Sequence, residues 1–391
     1  MSEFKASGFR DEFGNAGPDL VGITTLTSPH YFVPPSGSTA ERPSDPPPGM
    51  LRFNTDIGRL EVWRNDHWGT IVGESPNLGD VTQSTTNSPS GTGTRAIAYG
   101  GNNGSPYDDI EYFTIETLGN AQDFGNAANG TRTTGQCCAS RTRAIYGGGQ
   151  VSGAPSVAEM EFVTIASTGT ATDWGADLSD GRDFLTSFSN QTRGLWAGGR
   201  TSGSNTASRV VDYVTIASSG QTAQDFGDLR HDALWYPMSF ASSVRGVVGQ
   251  SNSSPSPTSI DYFTISSTGS GQDFGTLSSN FGGVGGSNAT RGLFAGGYTP
   301  TLCNVISFVT IASTGNTQDF GDLTQTTRGF ACATNSTRAV FIGGKTPSNS
   351  NVLSYVTITT TGNAEEFGSL TGSNSGQKGN IGGCSNGHGG L

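Results

Sequence analysis

The sequence predicts an all-β chain dominated by a six-bladed β-propeller, and three observations carry that expectation. A block typified by residues 290–323 (TRGLFAGGYTPTLCNVISFVTIASTGNTQDFGDL) recurs six times. Its arginines (Arg95, Arg143, Arg193, Arg245, Arg291 and Arg338) stand 46 to 52 residues apart by subtraction, and so do its acid-aromatic-glycine marks, which open at Asp123, Asp173, Asp225, Asp273, Asp319 and Glu366. A period near fifty is that of a propeller blade, whereas helical-hairpin and leucine-rich units are shorter. The third observation is composition: 59 of 391 residues are Gly and only 14% are charged, which suits many short strands and turns.

Each unit reads as four strands. Leu293, Phe294 and Ala295 lead into Gly296-Gly297, Ile306 to Ile311 is β-branched and aromatic, Ser313 to Asn316 is a hairpin turn, and Gln318 to Leu323 leads outward. Gly329 to Thr334 is built from small residues, as an innermost strand requires where blades converge. The Gly pairs allow neighbouring backbones to approach closely, because no Cβ intervenes.

A strand ending in Gly-Gly, followed by an aromatic of the third strand and a Phe or Trp of the fourth, resembles the kelch family of propellers. The doublets are Gly100-Gly101, Gly147-Gly148, Gly198-Gly199, Gly296-Gly297 and Gly343-Gly344; the aromatics are Tyr112, Phe162, Tyr213, Tyr262, Phe308 and Tyr355. Unit four departs, with Val247-Val248-Gly249-Gln250. The resemblance implies a kelch-like propeller over residues 77–391, closed by the C-terminal strand: Gly379 to Cys384 has inner-strand character, while Val81 to Gly93 does not. Asn77 to Asp80 echoes the Phe-Gly-Asp mark and is expected to add an outer edge.

Ahead of the repeats, residues 1–48 are expected to be an extended anchor and Pro-rich linker, with a short strand at Leu20 to Leu26 and a stiff segment, PPSGSTAERPSDPPP, at Pro34 to Pro48. Residues 49–76 predict a small β-meander turning at Asp56-Ile57-Gly58, too small to be stable alone. The stretch GMLRFNTDIGRLEVWRNDHWGTIV, following a Pro-rich linker, resembles a module of virion structural and fibre-like proteins of tailed phages, marine cyanophages in particular. That resemblance implies a virion location after assembly in a host cytoplasm, with residues 1–76 bound to other virion proteins.

Net charge of −11 and a sequence pI near 4.7 argue against nucleic acid or an anionic membrane as partner. No apolar run has the length of a membrane span, and the first thirty residues lack the apolar core of a secretion signal. The five cysteines (Cys137, Cys138, Cys303, Cys332, Cys384) lack paired ligand spacing and are expected to be buried thiols, with no metal and no cofactor. Self-association is open, since no heptad run demands it.

Asp-Phe-Gly, returning in unit after unit without kinase companions, is read as structural. The repeat arginine and the repeat acid are expected to emerge on one face and to pair as a ring of ion bridges. Asn190, Asn288 and Asn335 open glycosylation sequons but precede the repeat Arg, so they are read as turn residues. Catalysis is not expected. The histidines (His30, His67, His231, His388) do not form a copper-ligand set, and the repeat acids are explained by symmetry rather than by a hydrolytic pair.

Links between second and third strands vary sharply while the turns between third and fourth strands do not, so one face is diversified. Tyr107, Arg200, Arg230, His231, Asp232, Trp235, Tyr236, Tyr298 and Lys345 are its candidate recognition residues. The expectation is a phage tail-fibre-like protein displaying its propeller to a host-surface glycan or protein. The alternatives are a structural decoration binding no receptor and, behind it, a polysaccharide-cleaving enzyme.

Overall fold

The computed structural model describes residues 34–64, 66–70, 94–152, 155–202, 206–233, 235–250, 258–277, 282–298 and 301–391. The expected strand at Leu20 to Leu26, the segment Val81 to Gly93 and the outer-edge segment Asn77 to Asp80 lie outside them. The chain divides into two compact units, residues 1–74 and 75–391.

In the first unit, strands Leu51–Asn54, Arg59–Trp63 and Trp68–Thr70 form a meander, and Ser36–Gly37 adds a parallel edge. Alternation puts Arg52, Asn54 and Glu61 on a buried side. Glu61 accepts from Arg42 Nε at 3.2 Å and from Asn54 Nδ2 at 2.9 Å. The bond from Arg42 is the main reason its carboxyl is held below the ordinary range. Trp63 and Trp68, directly paired, pack at 5.6 Å between ring centroids.

The second unit holds six four-stranded antiparallel sheets, each running from an inner to an outer strand. In that order, sheet 1 is Gly382–Ser385, Arg95–Tyr99, Asp109–Thr114 and Gln122–Asn126; sheet 2 is Gln136–Ala139, Arg143–Gly147, Glu159–Thr164 and Thr172–Asp177. Sheet 3 is Thr186–Ser189, Arg193–Ala197, Ser208–Thr215 and Gln224–Ala233; sheet 4 is Met238–Ala241, Arg245–Gly249, Ser259–Thr264 and Gln272–Thr276. Sheet 5 is Val284–Ser287, Arg291–Tyr298, Leu302–Thr310 and Gln318–Asp322; sheet 6 is Ala331–Thr334, Arg338–Ile342, Val352–Thr357 and Glu365–Ser369.

The strand pairing corrects the fold expectation. Each of these sheets is separate: among the described residues no strand ladder passes from one to the next, and no sheet curls closed on itself. A kelch-like propeller closed by strand pairing is therefore replaced by an all-β unit of separate four-stranded sheets. Side-chain packing and loop contacts link them instead. Inner strands touch in sheet order, sheet 6 touches sheet 1, and each consecutive pair encloses its own apolar core. The C-terminal strand lies at the inner edge of sheet 1, with Cys384 opposite Ile97.

The expected ring of arginine-carboxylate pairs is also corrected. Each repeat arginine donates Nη1 to an Ile carbonyl of the next sheet: Arg95 to Ile165 (2.7 Å), Arg143 to Ile216 (2.9 Å), Arg193 to Ile265 (2.8 Å), Arg245 to Ile311 (2.7 Å), Arg291 to Ile358 (2.9 Å) and Arg338 to Ile115 (3.1 Å). Each guanidinium also lies over the third-strand aromatic of its own sheet, 4.3 to 4.8 Å from the ring centre. The repeat acids (Asp123, Asp173, Asp225, Asp273, Asp319 and Glu366) are exposed, and among the described residues only Asp273 has an ion pair, with Arg230. A guanidinium already facing a carbonyl and an aromatic ring gains little from an exposed carboxylate.

The glycine of five of the six acid-aromatic-glycine marks, all but Gly175, has a steric reason. The turn between third and fourth strands of one sheet lands on the fourth strand of the preceding sheet, as Gly169 N donating to Phe124 O and Gly315 N donating to Phe274 O show, both at 2.7 Å. A Cβ on Gly125 or Gly275 would overlap the carbonyl of Gly169 or Gly315. Sequon asparagines work as turn residues: Asn335 Oδ1 accepts from Thr337 N (2.9 Å) and Arg338 N (2.7 Å), which orients the repeat arginine.

Candidate functional site

Connections from fourth strand to inner strand meet those between second and third strands on one side of the second unit, through bridges Tyr107 to Arg132, Thr133 to Gln150 and Arg328 to Lys345. One residue just ahead of each inner strand takes a left-handed backbone: Thr134, Phe184, Tyr236, Gly282, Gly329 and Asn380. Thr134, Phe184 and Tyr236 adopt this conformation only at a cost of about 1 kcal/mol or more each, whereas asparagine and glycine take it readily.

A chain of backbone hydrogen bonds joins most of this circle. Thr134 N donates to Asn380 O, Phe184 N to Thr134 O and Tyr236 N to Phe184 O, each at 3.0 Å, and Asn380 N donates to Gly329 O at 2.5 Å. These bonds fix the turn residues against one another across sheet boundaries. The Asn380 side chain then reaches across: Nδ2 donates to Asn102 Oδ1 at 3.2 Å, and Oδ1 accepts from Tyr236 Oη of sheet 4. Burial pushes the Tyr236 hydroxyl upward, so it stays a donor.

Beside this bridge lies an aromatic platform. Phe184 packs 4.5 Å from Trp235 and edge-on, 4.7 Å, to Tyr236. The Arg200 guanidinium sits over both Phe184 (4.9 Å) and Trp235 (5.1 Å). Asp183, fully buried, accepts from Arg200 Nε at 2.9 Å and Nη2 at 2.5 Å, so the cation is forked onto a carboxylate and neutralised.

Three of the nine residues expected on the recognition face, Arg200, Trp235 and Tyr236, therefore form one cluster. Tyr298 lies under Arg328 (5.3 Å) and Lys345 pairs with Arg328 through the backbone, a second group. Tyr107 lies 6.0 Å from Lys378 Nζ. Arg230 is locked between Asp261 and Asp273, both at 2.7 Å, and Asp232 is held by Arg209 at 2.5 Å, while His231 is exposed.

Sequence reasoning missed Phe184 and Asn380, because nothing in residue type announces a left-handed phenylalanine. It also missed a buried carboxylate ladder on the third strands. Glu111 meets Lys378 (2.7 Å), Glu161 meets Arg132 (3.9 Å), Asp212 meets Arg182, and Asp261 meets Arg230. Lys378, Arg132 and Arg182 come from the connection entering the same sheet, whereas Arg230 lies on the outer strand of sheet 3 and reaches the acid of sheet 4. The signal was an acid directly before the third-strand aromatic, at 111, 161, 212 and 261.

Inside the circle a cavity of about 70 Å³ lies between the inner strands, lined among others by Cys137, Ser187, Ser239, Cys384, Tyr236 and His388. A volume of that size holds a few ordered waters. His388 Nε2 lies 2.8 Å from Ala139 O, and its Nδ1 accepts from Gly390 N at 3.1 Å. Burial lowers its pKa to about 4, so the ring is neutral at pH 7. Among the described residues no group of His, Cys, Asp and Glu is arranged to hold a metal ion.

No family model matches the chain. No curated protein matches it either. The kelch resemblance and the resemblance to virion and fibre-like proteins are corrected accordingly: neither family is found. The reading as a phage tail-fibre, decoration or host-receptor protein, which rested on them, is withdrawn.

Proposed function

We propose that the chain is a non-enzymatic binding protein whose six-sheet unit offers the Phe184–Trp235–Arg200 platform to an uncharged, polyhydroxylated ligand, a glycan. The observation that carries this reading is the Arg200 guanidinium lying over two half-buried aromatic rings, on the side of the unit where connections vary most. A ring face takes the apolar side of a sugar, and the amide and guanidinium groups around it take hydroxyls. The forked pair with Asp183 leaves the platform without net charge, and a chain of net charge −11 repels polyanions. Asp183 is committed to Arg200, which supports binding rather than hydrolysis, since cleavage of a glycoside calls for two carboxylates facing the bond.

The test is a glycan array probed with the full chain, followed by calorimetry on the best ligand. Trp235→Ala should weaken that binding at least tenfold, while Asp319→Asn, a change in an exposed fourth-strand acid, should leave it unchanged. Thermal melts confirm that both variants fold. An array without signal, or a Trp235→Ala protein that binds as well as the parent, overturns the reading.

A further inference from the structure

Near its C-terminal end the chain returns to the start of the second unit: the strand Gly382–Ser385 pairs in sheet 1 and packs beside the inner strand of sheet 2. There Cys137 Sγ and Cys384 Sγ stand 2.9 Å apart, although 247 residues separate them in sequence. We propose that these two thiols are a redox modification site: a peroxide converts them to a disulfide that fastens the C-terminal strand to sheet 2.

Contact, access and surroundings together favour this pair. Both thiols lie on inner strands of neighbouring sheets, so no loop has to move for the sulfurs to meet. Both line the cavity of about 70 Å³, which admits a molecule the size of hydrogen peroxide. Cys138 and Cys332 also line that cavity, but they pack in other cores, Cys138 between sheets 2 and 3 and Cys332 between sheets 5 and 6, while Cys303 is half-buried in sheet 5; among the described residues the one sulfur-sulfur contact is that of Cys137 with Cys384. A bridge closing so long a loop restricts the unfolded chain strongly.

The chemistry balances with hydrogen peroxide as the oxidant. One sulfur, as thiolate, attacks the peroxide O–O bond, giving a sulfenic acid and, with one proton, water. The second sulfur attacks the sulfenic sulfur, forming the S–S bond and expelling a second water. Two thiols and one peroxide thus become one disulfide and two waters. Burial pushes the Cys384 thiol well above its ordinary range, so the reaction should quicken as pH rises from 7 to 9.

The experiment treats the folded full-length protein with hydrogen peroxide, blocks remaining thiols by alkylation, and maps peptides without reduction. The expected result is an intramolecular link between the peptides containing residues 137 and 384, three alkylated thiols, and a rise in Tm of several degrees that dithiothreitol reverses. Because Cys138 adjoins Cys137, variants assign the link: Cys137→Ala and Cys384→Ala should abolish both link and Tm rise, while Cys138→Ala should keep both. Five alkylatable thiols after oxidation, sulfinic acid at Cys384 without a link, or a link that survives Cys137→Ala would each overturn the proposal.

Discussion

Arg338 donates Nη1 to the carbonyls of Ile115 and Glu116, at 3.1 and 2.9 Å, and so ties sheet 6 to sheet 1 across more than two hundred residues. The same bond, from the same position, joins every other consecutive pair of sheets. At this closing contact the arginine also covers Tyr355 at 4.8 Å.

Removing that side chain should be costly despite its partial exposure. Arg338→Ala loses charge-assisted bonds to two carbonyls and the contact with the ring, an expected loss of about 2–3 kcal/mol. Arg338→Lys keeps the charge but not the planar fork and should recover less than half of it. Urea unfolding of the two variants beside the parent measures both numbers.

Lys378 is fully buried and lies 2.6 Å from Asp109 Oδ2 and 2.7 Å from Glu111 Oε2, while Glu111 Oε1 also accepts from Thr371 N and Gly372 N. Lys378→Met strands two carboxylates and should destabilise by about 3–5 kcal/mol. Adding Asp109→Asn and Glu111→Gln removes the uncompensated charge and should restore part of the loss. Denaturant midpoints of the single and triple variants test this, and a triple variant no better than the single one contradicts it.

His388 gives the second unit a pH response of definite sign. Its folded value of about 4 lies below the ordinary imidazole value. Burial disfavours the charged ring, and Nδ1 already faces the N–H of Gly390, leaving no acceptor for an added proton. Between pH 6.5 and 4 the unfolded chain binds a proton that the folded chain refuses, so stability is complete above pH 6.5 and falls as pH drops through that window. Each unit of separation is worth up to about 1.4 kcal/mol, less what residual solvent contact removes. Melts from pH 7.5 to 4.5 should show a slope that is shallower in His388→Asn.

Much of this fold was written in residue type. The near-fifty period, the four strands per unit and the turn role of Asn190, Asn288 and Asn335 follow from β-branched runs, glycines and Asx chemistry, which are local. What the arginines bind was not legible, because their acceptor is a backbone carbonyl one sheet away and leaves no mark on the side-chain pattern. The exposed repeat acids offered a more visible partner of opposite charge, and that misled. The candidate site was legible only in part: Arg200, Trp235 and Tyr236 stand out as large side chains in variable loops. Phe184 and Asn380, which hold them, owe their role to left-handed backbone set by contacts between sheets.

Gly292 shows how neighbouring sheets are matched, and how that matching can be tested. A Cβ there would overlap the ring of Phe240 on the inner strand of sheet 4; likewise Gly246 faces Phe188, and Gly194 faces Cys138. Where the corresponding inner residue is Gly286 or Ala333, the following sheet carries Ala339 or Ala96 instead of glycine. At these five boundaries bulk on one side is balanced by its absence on the other, as close packing requires, while at the sixth Cys384 meets Ala144. Gly292→Ala should therefore cost about 1–3 kcal/mol through overpacking. Phe240→Ala should cost about 3–5 kcal/mol by leaving a void. If the two positions are one packing unit, Phe240→Ala combined with Gly292→Ala should cost measurably less than the sum, because the new methyl enters the space the ring has left. Strict additivity in a double-mutant cycle would show that the two sheets relax independently, and the size rule would then be coincidence.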